Sequence, residues 1–599
     1  MRTISAALLL ALCAAFGGTA LAQADPNKVL RVVFPVAETG FDPQGGSDVY
    51  SNYINRAIFD PPYKYDHLAR PYKLIPNTAA ALPEISKDGL TWIIRIKPGI
   101  YFADDPVFNG HKRELTAADY VYSWKRVIDP RMRSPVLQTF DGLFVGADTA
   151  VAKASETGKF DYDTPLEGLQ AIDRYTLRIK LTHPSYDLLS DLTTSPAAAL
   201  AREVVEKYGE SNGWTMSNPV GTGPYRLKEW RRGQKIVLEA NPSFRDERFP
   251  DSPDPADRAI VAKLRGKKLP LIGRIEISVI EESQPRLLAF EKGDLDYLTI
   301  PGDLVTKVLD KDNHLLPRFA EAGVTLGRGV QPSITYTYFN MDDPVVGGYT
   351  KDKVALRRAI GMSYNIDEEI RVLRLGQGMP ATQVIPPGVT GYDPKFAGNT
   401  RYDPQGAKQL LDKFGYVDRD GDGWRDLPDG KPLLLKMGAS PSTIERQYNE
   451  LWQRSLNAVG IRIEFSTQKW PDLLKMARAG QVQMWSLGNT NTTTEGYGFL
   501  GLLYGGHSGL SNLSRFRQPD FDKLYDRSRS LPDSPERTKL FNEMTRIVAA
   551  YQPWMLEAYR VENIAVYPWV IGYKYNGLNT HSWMYFDIDP KVPRRPVQR

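Results

Sequence analysis

An alternation of strand and helix patterns in the C-terminal half of the chain constrains the possible fold more than any other feature. Apolar runs at residues 433–437, 461–465 and 481–487 have the length of strands. The segments between them, 442–459 and 472–479, read as helices. Strands that alternate with helices pair in parallel through right-handed crossovers. The sequence therefore predicts an α/β fold in which a parallel sheet is flanked by helices.

The segment after the third of these strands is the first candidate for a ligand site. In open α/β sheets, ligands bind beyond the carboxyl ends of the strands. Residues 485–491 read WSLGNTN, an uncharged stretch with a tryptophan and two amides at such an end. Trp485, Asn489 and Asn491 are therefore predicted ligand contacts. A surface loop with a half-buried tryptophan explains the same residues equally well from position alone.

The N-terminus has the three parts of an export signal. Arg2 supplies a positive start, residues 4–15 are apolar, and residues 20–22 (ALA) fit a small-x-small cleavage site. Cleavage after about Ala22 is predicted, so the mature protein is expected outside the cytoplasm. No later segment of the sequence approaches the ~18 consecutive apolar residues that a membrane-spanning helix needs.

Length and composition describe an ordinary globular protein with more than one domain. The 599 residues exceed the ~250–300 at which single cores split, so two or three domains are expected. Loss of Arg2 with the signal changes the formal charge from +5 to +4, and no basic tract carries interleaved aromatic residues, so nucleic acid is not an expected partner. Cys13 is the only cysteine, and its loss with the signal leaves no disulfide and no thiolate metal site.

Seven stretches of the sequence match one known set of motifs. They are GFDPQ (40–44), RELTAADYVYSWKRVIDP (113–130), NPVGTGPYRLKEW (218–230), EKGDLDYL (291–298), FN (339–340), LRRAIGMSYNID (356–367) and PWVIGY (568–573). Each is weak alone, but the set is specific and extends over nearly the whole chain after the signal. As a set, these stretches resemble the family 5 extracellular solute-binding proteins, the peptide- and nickel-type receptors of ABC importers.

The resemblance implies a particular architecture. It is an α/β, bilobal fold of the periplasmic binding protein type II kind, in its large three-domain variety. Mixed sheets are flanked by helices, and two crossing strands, expected near residues 297–301 and 556–560, link the lobes. The ligand is enclosed between lobes I and III as they close by hinge motion. The implied division is a signal peptide (1–22), a discontinuous lobe I (23–64, 206–298 and 558–599), an inserted domain II (65–205) and lobe III (299–557).

The resemblance also implies a function. The protein is expected to be a periplasmic receptor that captures a peptide-like or other small polar solute and delivers it to an ABC permease complex in the inner membrane. Catalysis, cofactors and nucleic acid are not expected, and the protein is expected to be a monomer. Other ligands known in the family, such as an opine, a sugar, a metal chelate or haem, are alternatives on the same scaffold. An exported hydrolase and a chaperone-like or chemoreceptor partner are the alternatives from other classes.

The expected cleft lacks one group that the family's peptide receptors have. In those receptors, an Asp three residues after the cleft tryptophan pairs with the free amino group of the ligand. Here Trp485 is followed at that distance by Gly488, and no carboxylate appears before Glu495. A buried ammonium without a counter-charge costs roughly 3–5 kcal/mol. The sequence therefore predicts a cleft of aromatic and neutral polar groups without an acidic clamp for an amine.

Three further cleft residues follow from the resemblance. Tyr559 and Arg560 lie near the second crossing, and residues 47–50 match the family's ligand loop in lobe I, which adds Tyr50. If Arg560 faces the cleft, it favours an anionic or hydroxyl-rich ligand, because a guanidinium fork matches carboxylate and phosphate. The alternative is an arginine that points to solvent, as most arginines do.

The sequence patterns that could indicate a metal site are weaker evidence than the seven motif stretches. Residues 418–429 (DRDGDGWRDLPD) match the first half of a calcium loop, but Asp429 stands at the twelfth position, where a bidentate Glu is usual. An acidic hairpin turn explains the same residues. The six histidines are scattered without metal-ligand spacing, so no metal site is predicted from them. His507, near the expected cleft, fits an ordinary loop position better than a contact to haem.

Overall fold

The computed structural model describes residues 24–210, 213–396, 398, 400–578 and 582–598. The predicted signal peptide with Cys13, and also His581, lie outside these residues. In the part of the chain that is described, no helix combines the length and the apolar character needed to cross a bilayer.

The strands form two sheets of four strands, one large sheet and two short ribbons. In chain order they are β1 (Asp25–Phe34), β2 (Tyr63–Tyr65), β3 (Leu74–Pro76), β4 (Glu84–Ile85), β5 (Thr91–Arg95), β6 (Leu169–Ala171), β7 (Thr176–Lys180), β8 (Tyr225–Arg231), β9 (Lys235–Ala240), β10 (Ile272–Val279), β11 (Tyr297–Thr299), β12 (Thr325–Phe339), β13 (Gly378–Pro380), β14 (Leu434–Ala439), β15 (Arg462–Thr467), β16 (Met484–Thr490), β17 (Trp554–Val566), β18 (Val570–Ile571) and β19 (Asp587–Ile588).

The helices cover the faces of these sheets. In chain order they are α1 (Val49–Ile58), α2 (Ala117–Ile128), α3 (Ala147–Thr157), α4 (Leu188–Asp191), α5 (Arg202–Tyr208), α6 (Arg258–Leu264), α7 (Ser283–Glu291), α8 (Pro317–Glu321), α9 (Lys351–Ser363), α10 (Ile366–Glu368), α11 (Pro404–Lys413), α12 (Thr443–Asn457), α13 (Trp470–Arg478), α14 (Tyr497–Gly501), α15 (Pro519–Arg529) and α16 (Pro535–Tyr551).

The first core is built on a sheet in the order β1-β10-β9-β8, in which β1 and β10 are parallel and the other neighbours are antiparallel. Leu30, Val32 and Phe34 alternate toward the core along β1, as expected for a strand with one buried face. Apolar residues of α1 and α7 pack in this core, together with residues from the end of the chain.

A separate core belongs to the segment that is inserted after β1 and α1. Its antiparallel sheet has the order β4-β5-β7-β6, and α2 packs on it through the fully buried Trp124. α2 begins with a capping box, in which the Asp119 carboxylate accepts a hydrogen bond from the Thr116 backbone N–H at 2.8 Å.

The strand–helix alternation from which the α/β prediction was made forms half of the large sheet. β14 pairs in parallel with both β15 and β16, so the predicted parallel arrangement is confirmed. β16 ends at Thr490 and not at residue 487, because β12 pairs with it in antiparallel fashion as far as Ser333↔Thr490. Trp485 therefore lies inside a strand and not at its end.

Two long strands, β12 and β17, connect the first core to the part of the large sheet that contains β14, β15 and β16. We call this part of the molecule the far half. β12 and β17 pair with each other over most of their length, with Leu326 opposite Ala565 in the first core and Tyr338 opposite Trp554 in a further core, which packs against the large sheet. The register shifts between Val330 and Ile334, where the strands pass between the two cores. β17 confirms the crossing expected near residues 556–560.

The other crossing differs from the expectation. Residues 297–301 contain the short strand β11, which pairs with the first-core end of β17, and the crossing itself is made by β12. The crossing begins only where β12 begins, at Thr325. Apolar residues between positions 300 and 324 still pack in the first core. The domain boundaries expected from the resemblance stay a prediction.

Two of the recognised motifs meet in a buried ion pair. Asp42 of the GFDPQ stretch accepts a hydrogen bond from Arg126 of α2 at 2.8 Å, and the two side chains are 0% and 1% exposed. Asp42 also accepts from the backbone N–H groups of Gln44 and Thr215, both at 3.0 Å. The pair therefore joins the first core to the inserted segment.

The inserted segment also touches the helices of the far half of the molecule. Asp187 pairs with Arg537 of α16, and Asp191 accepts a hydrogen bond from Tyr497 of α14. The Asp141 carbonyl accepts from Arg529 at 2.6 Å. These contacts join the inserted segment to the far half of the molecule.

Candidate ligand-binding cleft

Two adjoining cavities of about 310 and 470 Å³ lie between the first core and the far half of the large sheet. They share lining residues and form one cleft. The first core contributes Tyr50 and Tyr53 of α1 and Arg286 of α7, whereas the far half contributes Tyr448 of α12 and Trp470 of α13. A cleft of this volume falls in the range of small-molecule sites.

Three of the six residues predicted from the sequence line this cleft. Trp485 is almost fully buried, and its ring centroid lies 4.8 Å from that of Trp470. Tyr50 lines the larger cavity, and burial raises its pKa to about 12 although Arg560 and Arg286 are close by. Arg560 lines both cavities, so it faces the cleft and not bulk solvent.

The other three predicted residues are not brought to the cavity lining. Asn489 bonds to the Tyr336 side chain. Asn491 donates to the Glu495 carbonyl at 2.6 Å and organises the turn after β16. Tyr559 is 1% exposed and donates its hydroxyl to the Gln383 carbonyl at 2.8 Å. Their role in ligand binding stays a prediction.

The guanidinium of Arg560 occupies the place beside Gly488 where a side chain on β16 would project. A Cβ atom at Gly488 would lie 3.1 Å from Nη1 of Arg560. Nε of Arg560 donates to the Ser333 hydroxyl at 3.1 Å, and Nη2 donates to the Thr490 hydroxyl at 2.5 Å. These neutral partners orient the guanidinium without neutralising it. Burial lowers the pKa of Arg560, but an arginine remains a cation.

Two more arginines line the cleft. Arg286 is 8% exposed and donates to the carbonyls of Ile280 and Glu281, both at 2.9 Å. Arg374 is held by Glu369, whose Oε1 atom lies 2.6 Å from Nε. The positive charge of Arg374 is therefore compensated within the protein, whereas the groups bonded to Arg286 and Arg560 are uncharged.

Carboxylates also reach the cleft, and this corrects the prediction of an aromatic and neutral lining. Glu281 and Glu445 line the smaller cavity, and Asp48, Asp303 and Glu562 line the larger one. All five come from segments other than the strand end on which the prediction rested. Burial raises the pKa of Glu445 to about 7, so the protonation of this group changes near neutral pH. The cleft contains groups of both charges.

A buried carboxyl group lies behind the cleft. Glu557 of β17 accepts hydrogen bonds from Thr337 at 2.7 Å and Ser486 at 2.9 Å, and its Oε2 lies 3.8 Å from Nη2 of Arg374. Burial, together with the charge of nearby Glu369, raises the pKa of Glu557 to about 8. At neutral pH the folded protein therefore holds a proton on this group.

Glu557→Gln is expected to change how stability depends on pH. Between the unfolded-chain pKa of about 4.3 and about 8, the folded wild type binds a proton that the unfolded chain has lost. The wild type therefore loses stability relative to the variant as pH rises through this window, by up to about 1.4 kcal/mol per pH unit. Urea unfolding of both proteins from pH 4 to 9 measures the difference, and parallel curves contradict the assignment.

Sequence reasoning missed most of the charged lining, although one signal was present. The strand-end rule selected residues toward the carboxyl end of β16. The same rule applies to its parallel neighbour β14. Residues 440–442 follow β14, and the first turns of α12 carry Glu445 and Tyr448 to the cleft. Arg286 and Arg374 had no comparable signal, because each comes from a segment distant in sequence.

The calcium motif forms a compact acidic turn. Oxygens of Asp418, Asp420 and Asp426 lie within 4.8 Å of one another, close enough for one ion. The Asp422 carboxylate instead pairs with Arg462, and Asp429 at the twelfth position pairs with Lys431 at 2.7 Å. Calcium binding by this turn stays an alternative to a plain acidic turn. His507 is buried, and its Nε2 lies 3.3 Å from Oδ2 of Asp141 in the inserted segment.

Two cores linked by two crossing strands, with a ligand-sized cleft between them, define a bilobal ligand-binding protein. Residues 73–510 match the family profile described as "Bacterial extracellular solute-binding proteins, family 5 Middle". The chain therefore belongs to the family 5 bacterial extracellular solute-binding proteins, as the seven motif stretches predicted. Its members are binding proteins.

Individual relatives agree with this assignment over almost the whole chain. Di/tripeptide-binding protein 2 of Pseudomonas aeruginosa is 25% identical over an alignment of 604 positions that covers 98% of this chain and 100% of the relative. Heme-binding protein A of Haemophilus influenzae is 24% identical over 85% of this chain and 83% of the relative. The structure of DppA from Helicobacter pylori in complex with the peptide STSA superposes with a TM-score of 0.74 over 94% of this chain and 98% of the other, at 21% identity, which shows a shared fold.

Proposed function

We propose that this solute-binding protein is the receptor of an ABC importer and captures a small solute that carries a carboxylate. The observation that carries the proposal is the guanidinium of Arg560, held beside Gly488 by neutral hydroxyls and facing the cleft. A guanidinium fork binds a carboxylate through two parallel hydrogen bonds. Signal cleavage near Ala22, a periplasmic location, a monomeric state and delivery to an inner-membrane permease complete the proposal, and no chemistry is done on the solute.

The mixed charges favour a zwitterionic solute such as a short peptide. Its carboxylate would pair with Arg560, and its ammonium would face the acidic groups, among which Glu445 changes protonation near neutral pH. Tyr448, Trp470 and Trp485 supply aromatic surface for the rest of the molecule. The relatives named for di/tripeptides and the peptide-bound structure support this class of ligand.

Ligand identification comes first, and a peptide series tests the chemistry. The purified protein is denatured, and mass spectrometry identifies any small molecule released. Calorimetry then compares a tripeptide with its C-terminal amide and its N-acetyl derivative. We expect amidation to weaken binding on the order of 10- to 100-fold, since a charge-assisted pair is lost. Equal affinity of the free acid and the amide contradicts carboxylate recognition, and recovery of cleaved peptide contradicts a receptor without catalysis.

A carboxylate solute without an amine is the second candidate. It is favoured by Gly488, which leaves the end of β16 without an acidic side chain. For such a solute, the N-acetylated peptide binds as well as the free one, whereas a zwitterion site loses affinity on acetylation. The same calorimetric series therefore separates the two ligand classes.

A further inference from the structure

A second, smaller cavity lies at the junction between the first core and the inserted segment. Its volume is about 90 Å³, and its lining includes Arg56, His67 and Tyr225. It is distinct from the cleft although α1 borders both. Tyr50 and Tyr53 near the start of α1 line the cleft, whereas Arg56 in the last turn lines this junction cavity.

Several polar atoms of the junction cavity's lining residues have no hydrogen-bond partner. They are Nε and Nη2 of Arg56, the hydroxyls of Tyr65 and Tyr225, and Nδ1 of His67, all buried and all unpaired within the described residues. His67 and Tyr225 are 2% and 1% exposed. Buried polar atoms in folded proteins nearly always have a partner. A group of them around one cavity therefore points to a bound molecule that supplies the partners.

The charges around the junction cavity do not balance. Lys64 pairs with Glu247, and Arg245 pairs with both Asp60 and Glu247 at 2.6 Å, so two cations there face two carboxylates. Arg56 adds a further positive charge, and no carboxylate in the described chain pairs with it. Burial lowers the pKa of Arg56 to about 10, which leaves it charged at neutral pH. Arg56 as a residue is half-buried, but its Nε and Nη2 atoms are buried, and a cation in this position is stabilised by an anion.

The free edge of Arg56 selects the shape of that anion. Nε and Nη2 lie on the same edge of the guanidinium, and their hydrogens point in parallel. This edge is the fork that binds two oxygens of one oxyanion. The junction cavity, at about 90 Å³, is much smaller than the two cavities of the cleft, at about 310 and 470 Å³. The space suits one small inorganic oxyanion and excludes a peptide.

His67 adds a requirement for a proton on the ligand. Its Nε2 lies 2.8 Å from the Gly572 carbonyl, which can only accept, so Nε2 carries the hydrogen. Burial lowers the pKa of His67 to about 4, so the ring is neutral and its unpaired Nδ1 is an acceptor. An O–H group on the anion supplies the missing donor. Hydrogen phosphate has such a group at neutral pH, and sulfate has none.

We propose that the junction cavity is a binding site for inorganic phosphate in a protonated form. Two phosphate oxygens accept from Nε and Nη2 of Arg56, a P–OH group donates to Nδ1 of His67, and the hydroxyls of Tyr65 and Tyr225 complete the set. The site is separate from the ligand cleft and does not depend on the solute proposed there.

Equilibrium dialysis with radiolabelled phosphate tests the site. The wild type is compared with Arg56→Met, with Arg56→Lys, which keeps the charge without the fork, and with Arg401→Met as an exposed control. We expect one phosphate per chain in the wild type and in Arg401→Met. Binding should weaken on the order of 10- to 100-fold in Arg56→Met and detectably in Arg56→Lys. Sulfate at equal ionic strength should compete on the order of 10-fold less well than phosphate.

Arg560→Met separates this site from the cleft. Loss of phosphate binding in Arg560→Met but not in the Arg56 variants overturns the proposal, because the anion is then held in the cleft. Equal competition by sulfate or by glycerol 3-phosphate also overturns it, since sulfate has no proton to donate to His67 and glycerol 3-phosphate is larger than the inorganic ion that the cavity suits. A crystal grown in phosphate gives the direct view, and water alone in the cavity overturns the assignment.

Discussion

Arg560→Met is expected to weaken binding of a free-acid tripeptide by about 2–5 kcal/mol, on the order of 30- to several-thousand-fold. The guanidinium faces the cleft and is held by the Ser333 and Thr490 hydroxyls, so its charge is available to a ligand. Its loss leaves the ligand carboxylate desolvated without a counter-charge. Calorimetry on the wild type and the variant measures the effect.

Two further variants sharpen the test of Arg560. Arg371→Met removes an exposed arginine outside the cleft lining and should bind like the wild type. Gly488→Asp retains Arg560 but places a carboxylate against it, since the new Cβ lies 3.1 Å from Nη1. It should lose affinity for the free acid much as Arg560→Met does. Unchanged affinity in both Arg560→Met and Gly488→Asp shows that the ligand anion is bound elsewhere.

Asp42→Ala is expected to destabilise the protein by about 3–5 kcal/mol at neutral pH. The substitution leaves the guanidinium of Arg126, itself 1% exposed, without its carboxylate partner. It also removes the acceptor for the backbone N–H groups of Gln44 and Thr215. Urea unfolding gives the loss of unfolding free energy. The double variant Asp42→Ala/Arg126→Met should recover part of it, because no buried charge is then left unpaired.

The effect of Asp42→Ala should depend on pH in a defined direction. Burial raises the pKa of Asp42, but the Arg126 guanidinium and the hydrogen bonds from the Thr215 and Gln44 backbone N–H groups together outweigh burial and hold the pKa below the ordinary value. The stability supplied by the ionised carboxylate is therefore complete above the unfolded-chain pKa of about 3.9 and is lost as pH falls through the folded pKa. The wild type and the variant should converge in acid. A difference that stays constant below pH 3 contradicts the ion-pair assignment.

The parallel part of the large sheet was predictable because its signals are local. Apolar runs and helical spacing between residues 433 and 487 correctly indicated β14, α12, β15, α13 and β16 in order, with parallel pairing. The end of β16 was misplaced by three residues, since pairing with β12, more than a hundred residues earlier, extends it to Thr490. The first crossing strand was misplaced for a similar reason, because its length depends on the partner β17.

The cleft was predictable only in part. Trp485, Tyr50 and Arg560 were selected by a strand-end rule and by motif position, and all three line it. Asn489 follows Gly488 directly, but its side chain bonds to Tyr336 and is not part of the cavity lining. Which face meets the cleft depends on strand pairing that no local pattern encodes.

By itself, the sequence determined the α/β class, the parallel pairing of β14, β15 and β16, and the family, because periodicity and sequence motifs are properties of residues close together in the chain. Only the tertiary structure decided the electrostatics of the cleft. Arg286, Glu445 and Arg560 lie far apart in the chain and look like ordinary half-exposed charges until the fold encloses them together. Charges interact through space, and the distances between them are set by packing of the two lobes around β12 and β17.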